Sequence, residues 1–360
     1  MYIESLQVRR VRNIESADLE PSTGVNLIVG ANAAGKTSLL EAIDFLSRGR
    51  SFRVHRADEL IQSGADACNV FARLVGSTMA DHARLGIERR RGTTRGRIDG
   101  ADSGSIAELA RRLAVVALEP ESVGLVAGAP AARRALVDWG AFHLESGFGG
   151  AWQRYGRLLA QRNALLKGRA ELRVLAALDS SLAQEGERVS AYREEYLEKL
   201  AGAVQGLDKE ILGGDALGWR FKRGWKEEDS LLEALERHLG RDSERGFTSV
   251  GPHRADLELL LHEVSLATIG SRGQQKSSVA VLKLAQARLF GAERGEPPVV
   301  LLDDVASELD REHRAGVLNA VESLCAQVFI TAIDEGAVSL SGSPGGKLFH
   351  VEHGRIQELV

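Results

Sequence analysis

The stretch Gly30-Ala31-Asn32-Ala33-Ala34-Gly35-Lys36-Thr37 constrains this chain more than any other, because it has the G-x-x-x-x-G-K-[S/T] spacing of a phosphate-binding loop. The apolar run Val25 to Val29 precedes it and reads as a buried strand. Behind it, Leu39, Leu40, Ile43 and Leu46 fall at helical spacing. Strand, glycine loop and helix together aim backbone N–H groups and a helix N-terminus at phosphate oxygens. Gly30 through Thr37 are therefore expected to bind a nucleoside triphosphate, with Lys36 reaching the β- and γ-phosphates and the Thr37 hydroxyl ligating Mg²⁺. A glycine-rich turn beside a solvent-facing lysine would have no use for the flanking strand and helix.

Composition excludes several classes. The 360 residues can bury one large core or two, and 44% hydrophobic content is ordinary for a globular protein. No run approaches the 18 or so apolar residues of a membrane span, and Met1-Tyr2-Ile3-Glu4-Ser5 has no signal-peptide character. Two cysteines far apart, Cys68 and Cys325, fit reduced residues better than a disulfide and are too few for a zinc site. A soluble, cytoplasmic protein is expected. The formal charge of −4 means that any nucleic-acid contact must use local basic patches.

An ATPase of this type needs a second carboxylate near the metal. Val299-Val300-Leu301-Leu302-Asp303-Asp304 supplies it: an apolar run ending in two acids, as a central parallel strand does at its C-terminal end. Asp303 is expected to hold Mg²⁺ and Asp304 to orient the attacking water, which makes Lys36, Asp303 and Asp304 the candidate catalytic set. Lys36 and Asp303 are much farther apart in sequence than one β-α-β excursion requires, so a large insertion must separate the two halves of the site.

A third segment, Gly270-Ser271-Arg272-Gly273-Gln274-Gln275-Lys276, opens a helical pattern with Val279, Leu282, Gln286 and Leu289 on one face. One triphosphate does not need two helix N-termini. Ser271, Gly273 and Gln274 are thus expected to act in trans on the γ-phosphate bound to a second copy, with ATP joining two heads. The plainer alternative is a serine N-cap. Ser307-Glu308-Leu309-Asp310 has two readings as well, a place at the same seam or a capping turn before the next helix.

In order along the chain, these segments resemble an ABC-type ATPase head of the SMC-like kind, and more narrowly the RecF family of bacterial DNA-repair proteins. The resemblance is carried also by Val11-Arg12-Asn13-Ile14, Leu40-Glu41-Ala42-Ile43, Gly49-Arg50-Ser51-Phe52-Arg53, Gly128-Ala129-Pro130 with Arg133-Arg134, Gly251-Pro252-His253-Arg254-Ala255-Asp256 and Leu302 to Asp310. It implies a weak, DNA-dependent ATPase that forms an ATP-dependent homodimer and binds double-stranded DNA and single/double-strand junctions. It further implies a role in replication, the SOS response to DNA damage and recombinational repair, with RecR, and in a pathway with RecO, placing RecA on gapped DNA. Asp304 stands where many ABC heads carry Glu, although the RecF family looks like an Asp–Asp type. The shorter arm retracts the candidate base by about 1.5 Å, and slow hydrolysis is expected. No histidine follows the strand Val328-Phe329-Ile330; Thr331 there either contacts the γ-phosphate or is structural. An ABC subunit of a membrane transporter and a small-molecule kinase are the competing readings. The first is disfavoured by that missing histidine and by the size of the insert, the second by the lack of any recognisable substrate pocket.

The implied architecture is α/β: an ATPase head built from residues 1–125 and 245–360, with a mainly helical domain inserted over 126–244. Ala135–Leu144, Trp152–Leu166 and Leu172–Leu207 are rich in helix formers. They contain no three or four heptads in succession, so long coiled-coil arms are not expected. Arg89, Arg90, Arg91, Arg95 and Arg97 surround the turn of a predicted hairpin. They either contact DNA phosphates or form a solvated tip held apart by charge. Arg133 and Arg134 have packing or ion pairing as alternatives to DNA contact. His253 and Arg254, after a Gly-Pro turn, are placed to approach nucleotide or DNA, with no metal proposed there.

Overall fold

The computed structural model describes the chain except for residues 54–55, 77, 79–81, 169–171, 305–310, 338–344 and 360. The expectations for Ser307 to Asp310 therefore lie outside the described residues. The chain divides into two compact units. The first comprises 1–122, 206–214 and 272–360, and the second comprises 123–205 and 215–271.

Strands β1 (Tyr2–Val11) and β2 (Ile14–Leu19) form a hairpin, and β3 (Val25–Val29) leads through the glycine loop into α1 (Lys36–Arg48). A meander follows: β4 (Ala67–Val75), β5 (Ala83–Arg90), β6 (Thr93–Ile98) and β7 (Ala101–Asp102). Then come α2 (Ile106–Arg112) and β8 (Val115–Leu118). The second unit starts with α3 (Gly124–Ala127), α4 (Pro130–Leu144), α5 (Phe148–Lys167) and α6 (Leu172–Val204). The chain returns to the first unit for α7 (Leu207–Leu212). It leaves again for β9 (Leu217–Lys222), α8 (Leu231–Arg245), β10 (Asp256–Leu261), β11 (Val264–Ser265) and α9 (Leu266–Ile269). The closing run is α10 (Arg272–Arg294), β12 (Val299–Leu302), α11 (Arg311–Ser323), β13 (Val328–Ala332), β14 (Lys347–Glu352) and β15 (Arg355–Leu359).

The first unit has two six-stranded sheets. One is antiparallel, in the order β2-β1-β4-β5-β6-β7; the other runs β15-β14-β3-β13-β12-β8. All pairs of the second sheet are parallel except β14–β15. Val299 to Leu302 are all buried because β12 is an interior strand, flanked by β13 and β8 and covered on both faces. Leu39, Leu40, Ile43 and Leu46 of α1 share one core with Leu6, Val8, Val70 and Leu85 of the antiparallel sheet. Gly49 ends α1 in the left-handed region, at φ 67°. Gln327, just ahead of β13, stitches the two sheets. Its Nε2 donates to the Ile3 and Ser22 carbonyls, and its Oε1 accepts from the Ile3 N–H.

The head is thus assembled from both ends of the chain, as expected, but the boundaries differ. The insert does not close at residue 244; it continues to Ser271. The reason is β10, which pairs antiparallel with β9 from Asp256 opposite Lys222 to Leu261 opposite Leu217. Such long-range pairing leaves no periodic trace in sequence. The insert starts at Val123 rather than residue 126, and residues 206–214 belong to the head, where α7 packs on α10 and α11. The longest helix among the described residues is α6, with 33 residues, and no long coiled coil is present there.

The second unit holds buried charges that hydropathy could not reveal. Arg162 is fully buried, with Asp179 and Asp242 each 2.7 Å from its guanidinium and Thr248 also accepting from it. Removing one partner of such a pair typically costs about 3–5 kcal/mol. His253 is bracketed by the Tyr155 hydroxyl, 2.6 Å from Nδ1, and the Thr248 carbonyl, 3.1 Å from Nε2. A carbonyl only accepts, so Nε2 carries the proton and Nδ1 accepts from Tyr155.

Burial, aided by the nearby Arg254 and Arg134, lowers the His253 pKa from 6.5 to about 4. Between those values the unfolded chain binds a proton that the folded unit rejects, so stability rises with pH across that window. Urea unfolding followed from pH 7 to 4 is expected to lose about 3 kcal/mol from this group. His253→Gln should flatten that dependence; a variant with the wild-type slope would refute the neutral imidazole.

Candidate nucleotide site

Elements from both ends of the chain hold the glycine loop. Gly30 has no room for a side chain: a Cβ there would lie 2.3 Å from the Val351 carbonyl oxygen of β14. Gly35 adopts φ 122°, which favours glycine. Asn13, in the β1–β2 turn, donates from Nδ2 to the Ala33 carbonyl at 3.1 Å and accepts from the Ser38 hydroxyl at 2.8 Å. The Gly354 N–H, in the β14–β15 turn, donates to the Ala34 carbonyl at 2.8 Å. The loop is therefore gripped by the first and last hairpins of the head.

Lys36 is 8% exposed, and its ammonium donates to the Gly30 and Ala31 carbonyls at 2.7 and 2.9 Å. Burial lowers its pKa from the ordinary lysine value, against the opposing pull of Asp304 and Asp303. The ammonium thus sits over the glycine loop itself, held by two of its carbonyls.

Asp303 and Asp304 leave the end of β12 beside the loop. The Thr37 hydroxyl is 3.0 Å from both Asp303 carboxylate oxygens. Thr331, at the end of the intervening β13, donates from Oγ1 to Asp303 Oδ1 at 2.7 Å and accepts from the Asp304 N–H at 2.8 Å. Burial raises the Asp303 pKa, and the hydrogen bonds from Thr331 and Thr37 oppose that shift. Asp304 takes a left-handed φ of 52°, a region that Asp enters more readily than most residues with a side chain. Thr331 is fully buried and is spent on fixing both acids, which decides for the structural reading of this residue. Thr37 Oγ1 and the Asp303 carboxylate are hard oxygen donors on one side of the loop. They fit Mg²⁺, which takes one or two protein oxygens together with substrate phosphates.

The other expected residues fall elsewhere. Ser271 immediately precedes α10; Ser271 and Gly273 are exposed and Gln274 is half-buried. In the β5–β6 hairpin, Arg89 pairs with Asp58 at 2.9 Å, Arg90 with Glu88 and Arg97 with Asp102. Arg91 and Arg95 are exposed and have no ion pair among the described residues. Arg133 chelates Asp256 through Nε and Nη2, at 2.7 and 3.1 Å, which makes it an ion-pairing residue. The sequence reading missed the bracing roles of Asn13, Val351 and Gly354. An asparagine in a tight turn was a visible signal, but nothing local says which carbonyl it reaches.

The profile of the RecF/RecN/SMC N terminal domain family matches residues 2–357. "DNA replication and repair protein RecF" of Thioalkalivibrio sulfidiphilus is 42% identical over 357 residues, covering 99% of each chain. The protein of that name from Vibrio atlanticus is 36% identical over 99% of this chain and 100% of its own. Among solved structures, the recombination mediator protein RecF–ATP of the RecFOR pathway superposes with TM-score 0.88 at 29% identity, covering 100% of this chain and 98% of that one. An Smc head bound to a winged-helix domain of ScpA matches at TM-score 0.58 and 15% identity, over 100% and 97% of the two chains, a likeness of fold alone.

Thr331→Val keeps the shape and removes both hydrogen bonds to the acids. Stability is expected to fall by about 1.5–3 kcal/mol, the usual worth of a bond to a charged group such as the Asp303 carboxylate. The Mg²⁺ concentration needed for half-maximal ATP binding should rise several-fold, and Thr331→Ser should restore it. Calorimetric titration of ATP at stepped Mg²⁺ checks this; an unchanged Mg²⁺ requirement would remove Thr331 from the site.

Proposed function

The chain belongs to the RecF family, and we propose that it serves recombinational repair as an ATP-operated mediator on DNA. Binding ATP joins two heads into a homodimer. The dimer holds duplex DNA and single/double-strand junctions, and with RecR and RecO helps to place RecA at gaps. The observation that carries this reading is the bonding of Thr37, Asp303 and Thr331 beside the glycine loop. A similar structure spanning the whole chain is that of RecF with ATP. The relatives matched end to end are repair proteins, so the transporter alternative gains no support.

In this mechanism the loop amides of Gly30 to Thr37 cradle the phosphates and Lys36 neutralises the β- and γ-oxygens. Thr37 and Asp303 would hold Mg²⁺, which supplies charge neutralisation of the transferring phosphoryl group. Asp304 accepts the proton of the attacking water from a backbone position fixed by Thr331. Its short arm keeps hydrolysis slow, so the ATP-bound dimer persists. Ser271, Gly273 and Gln274 present the exposed first turn of α10, whose N-terminal dipole end favours the γ-phosphate held by the other copy.

Analytical sedimentation with ATP and gapped duplex tests this. The wild-type chain is expected to dimerise on ATP and then capture DNA. Lys36→Met should weaken ATP binding at least tenfold and abolish dimer and DNA capture together. Ser271→Arg should bind ATP yet remain monomeric. A wild-type chain that stays monomeric with ATP bound would overturn the two-headed site and leave Ser271 a helix cap.

A further inference from the structure

The segment Gly251 to Asp256 is the most tightly held corner of the second unit, and five of its six residues are committed to holding it. Gly251 adopts φ 123°, and a Cβ there would lie 2.6 Å from the Tyr155 hydroxyl. The Pro252 carbonyl accepts from the buried Arg193 at 2.7 Å. His253 is fixed between Tyr155 and Thr248. The Ala255 carbonyl accepts from Arg134 at 2.8 Å, and Asp256 is chelated by Arg133.

Arg254 alone turns outward. It is exposed, its guanidinium lies 5.4 Å from the centroid of the Phe247 ring, and no acid pairs with it among the described residues. Phe247 is itself one of the few exposed large apolar side chains. Arg134 is half-buried behind this corner, and its pKa is lowered by burial and by the neighbouring charges of Arg193 and Arg254, against Asp138 and Asp256. Arg193 is fully buried, and its Nη2 has no hydrogen-bond partner among the described residues. Asp138 and Asp256 are already paired, with Arg193 and Arg133. The corner therefore carries a surplus of guanidinium charge.

We propose that Arg254, lying over the Phe247 ring and backed by Arg134, is a docking point for the phosphate backbone of duplex DNA. Lying over the aromatic face with no acid beside it among the described residues, the guanidinium has the fork of donors that suits a phosphate's paired oxygens. The rigid corner removes most of the ordering cost of such a contact. An arriving phosphate offsets the repulsion among Arg134, Arg193 and Arg254. A single aromatic ring already covered by a cation is no platform for stacked bases, which favours duplex backbone over single strands. In a chain of net charge −4, a local patch of this kind is what nucleic-acid binding requires.

The inference rests on the DNA-binding reading above and adds a place to it. Anisotropy of a labelled duplex, titrated with full-length protein and Mg²⁺-ATP across a KCl series, tests both. Variants are read only where their thermal melting matches wild type. Arg254→Ala is expected to weaken binding about 5–10-fold near 0.1 M salt and to shrink the log K against log salt slope by about 0.9, one phosphate's worth. Arg254→Lys should restore most of the slope. A wild-type chain that captures no duplex overturns this docking point together with the DNA reading. A wild-type chain that binds, with an unchanged slope in Arg254→Ala, overturns this docking point alone. So does Arg254-dependent binding of poly-glutamate with unchanged duplex binding, which would assign the patch to an acidic protein.

Discussion

The head is organised around one small knot of hydrogen bonds. Thr37 follows the first nucleotide-binding strand, Asp303 ends another far along the chain, and Thr331 ends the strand between them. For these three side chains to meet, β13 must lie between β3 and β12 with all three parallel and their C-terminal ends level. That requirement fixes the order of the central sheet. It also makes the intervening stretch an excursion that leaves the sheet and comes back. Gln327 extends the same logic to the other sheet by bonding both the N–H and the carbonyl of Ile3.

Much of this was legible because it is local. Val25 to Leu46 carries strand, glycine loop and helix within one short window, and Val299 to Asp304 announces a buried strand ending in acids. Helices of the insert were legible from their Ala, Leu, Glu and Arg content. What escaped reading depends on partners distant in sequence. The β9–β10 pairing that carries the insert on to Ser271 has no periodic signature. The meeting of Asn13 with Ala33, and of Gly354 with Ala34, joins turns from opposite ends of the chain. The arginine hairpin shows the same limit: five arginines read as one patch, yet Asp58 and Asp102 occupy two of them and Glu88 a third.

Both units bury charge by pairing it, and the head alone also buries charge beside the glycine loop. In the head, Glu41 and Asp44 are matched to Arg12 and Arg48, while Lys36 and Asp303 lie beside the glycine loop, bonded to its carbonyls and to Thr37. In the insert, Arg162, Arg193 and Arg133 are matched to Asp179 and Asp242, to Asp138 and to Asp256. Such pairs add little net stability relative to apolar packing, but they tolerate few alternative arrangements. They hold the Gly251–Asp256 corner to one geometry, and a rigid corner can present an outward side chain at low entropic cost.

The position of β3 has a consequence for how the protein is made. Its two neighbours, β13 and β14, both come from the last stretch of the chain. At synthesis rates of about 5–20 residues per second, β3 leaves the ribosome roughly 15–60 s before either neighbour exists. During that interval an apolar strand has two open edges, the condition that invites pairing with other chains. The antiparallel meander, whose contacts are local, is able to form meanwhile and cover α1. Asn26, the second residue of β3, bonds through its amide to the Ser22 and Gly24 carbonyls of its own segment as well as to the Val328 carbonyl. A polar residue folded back on its own turn interrupts the apolar run, so the strand that waits longest for its partners is also less adhesive than its position in the finished core would require.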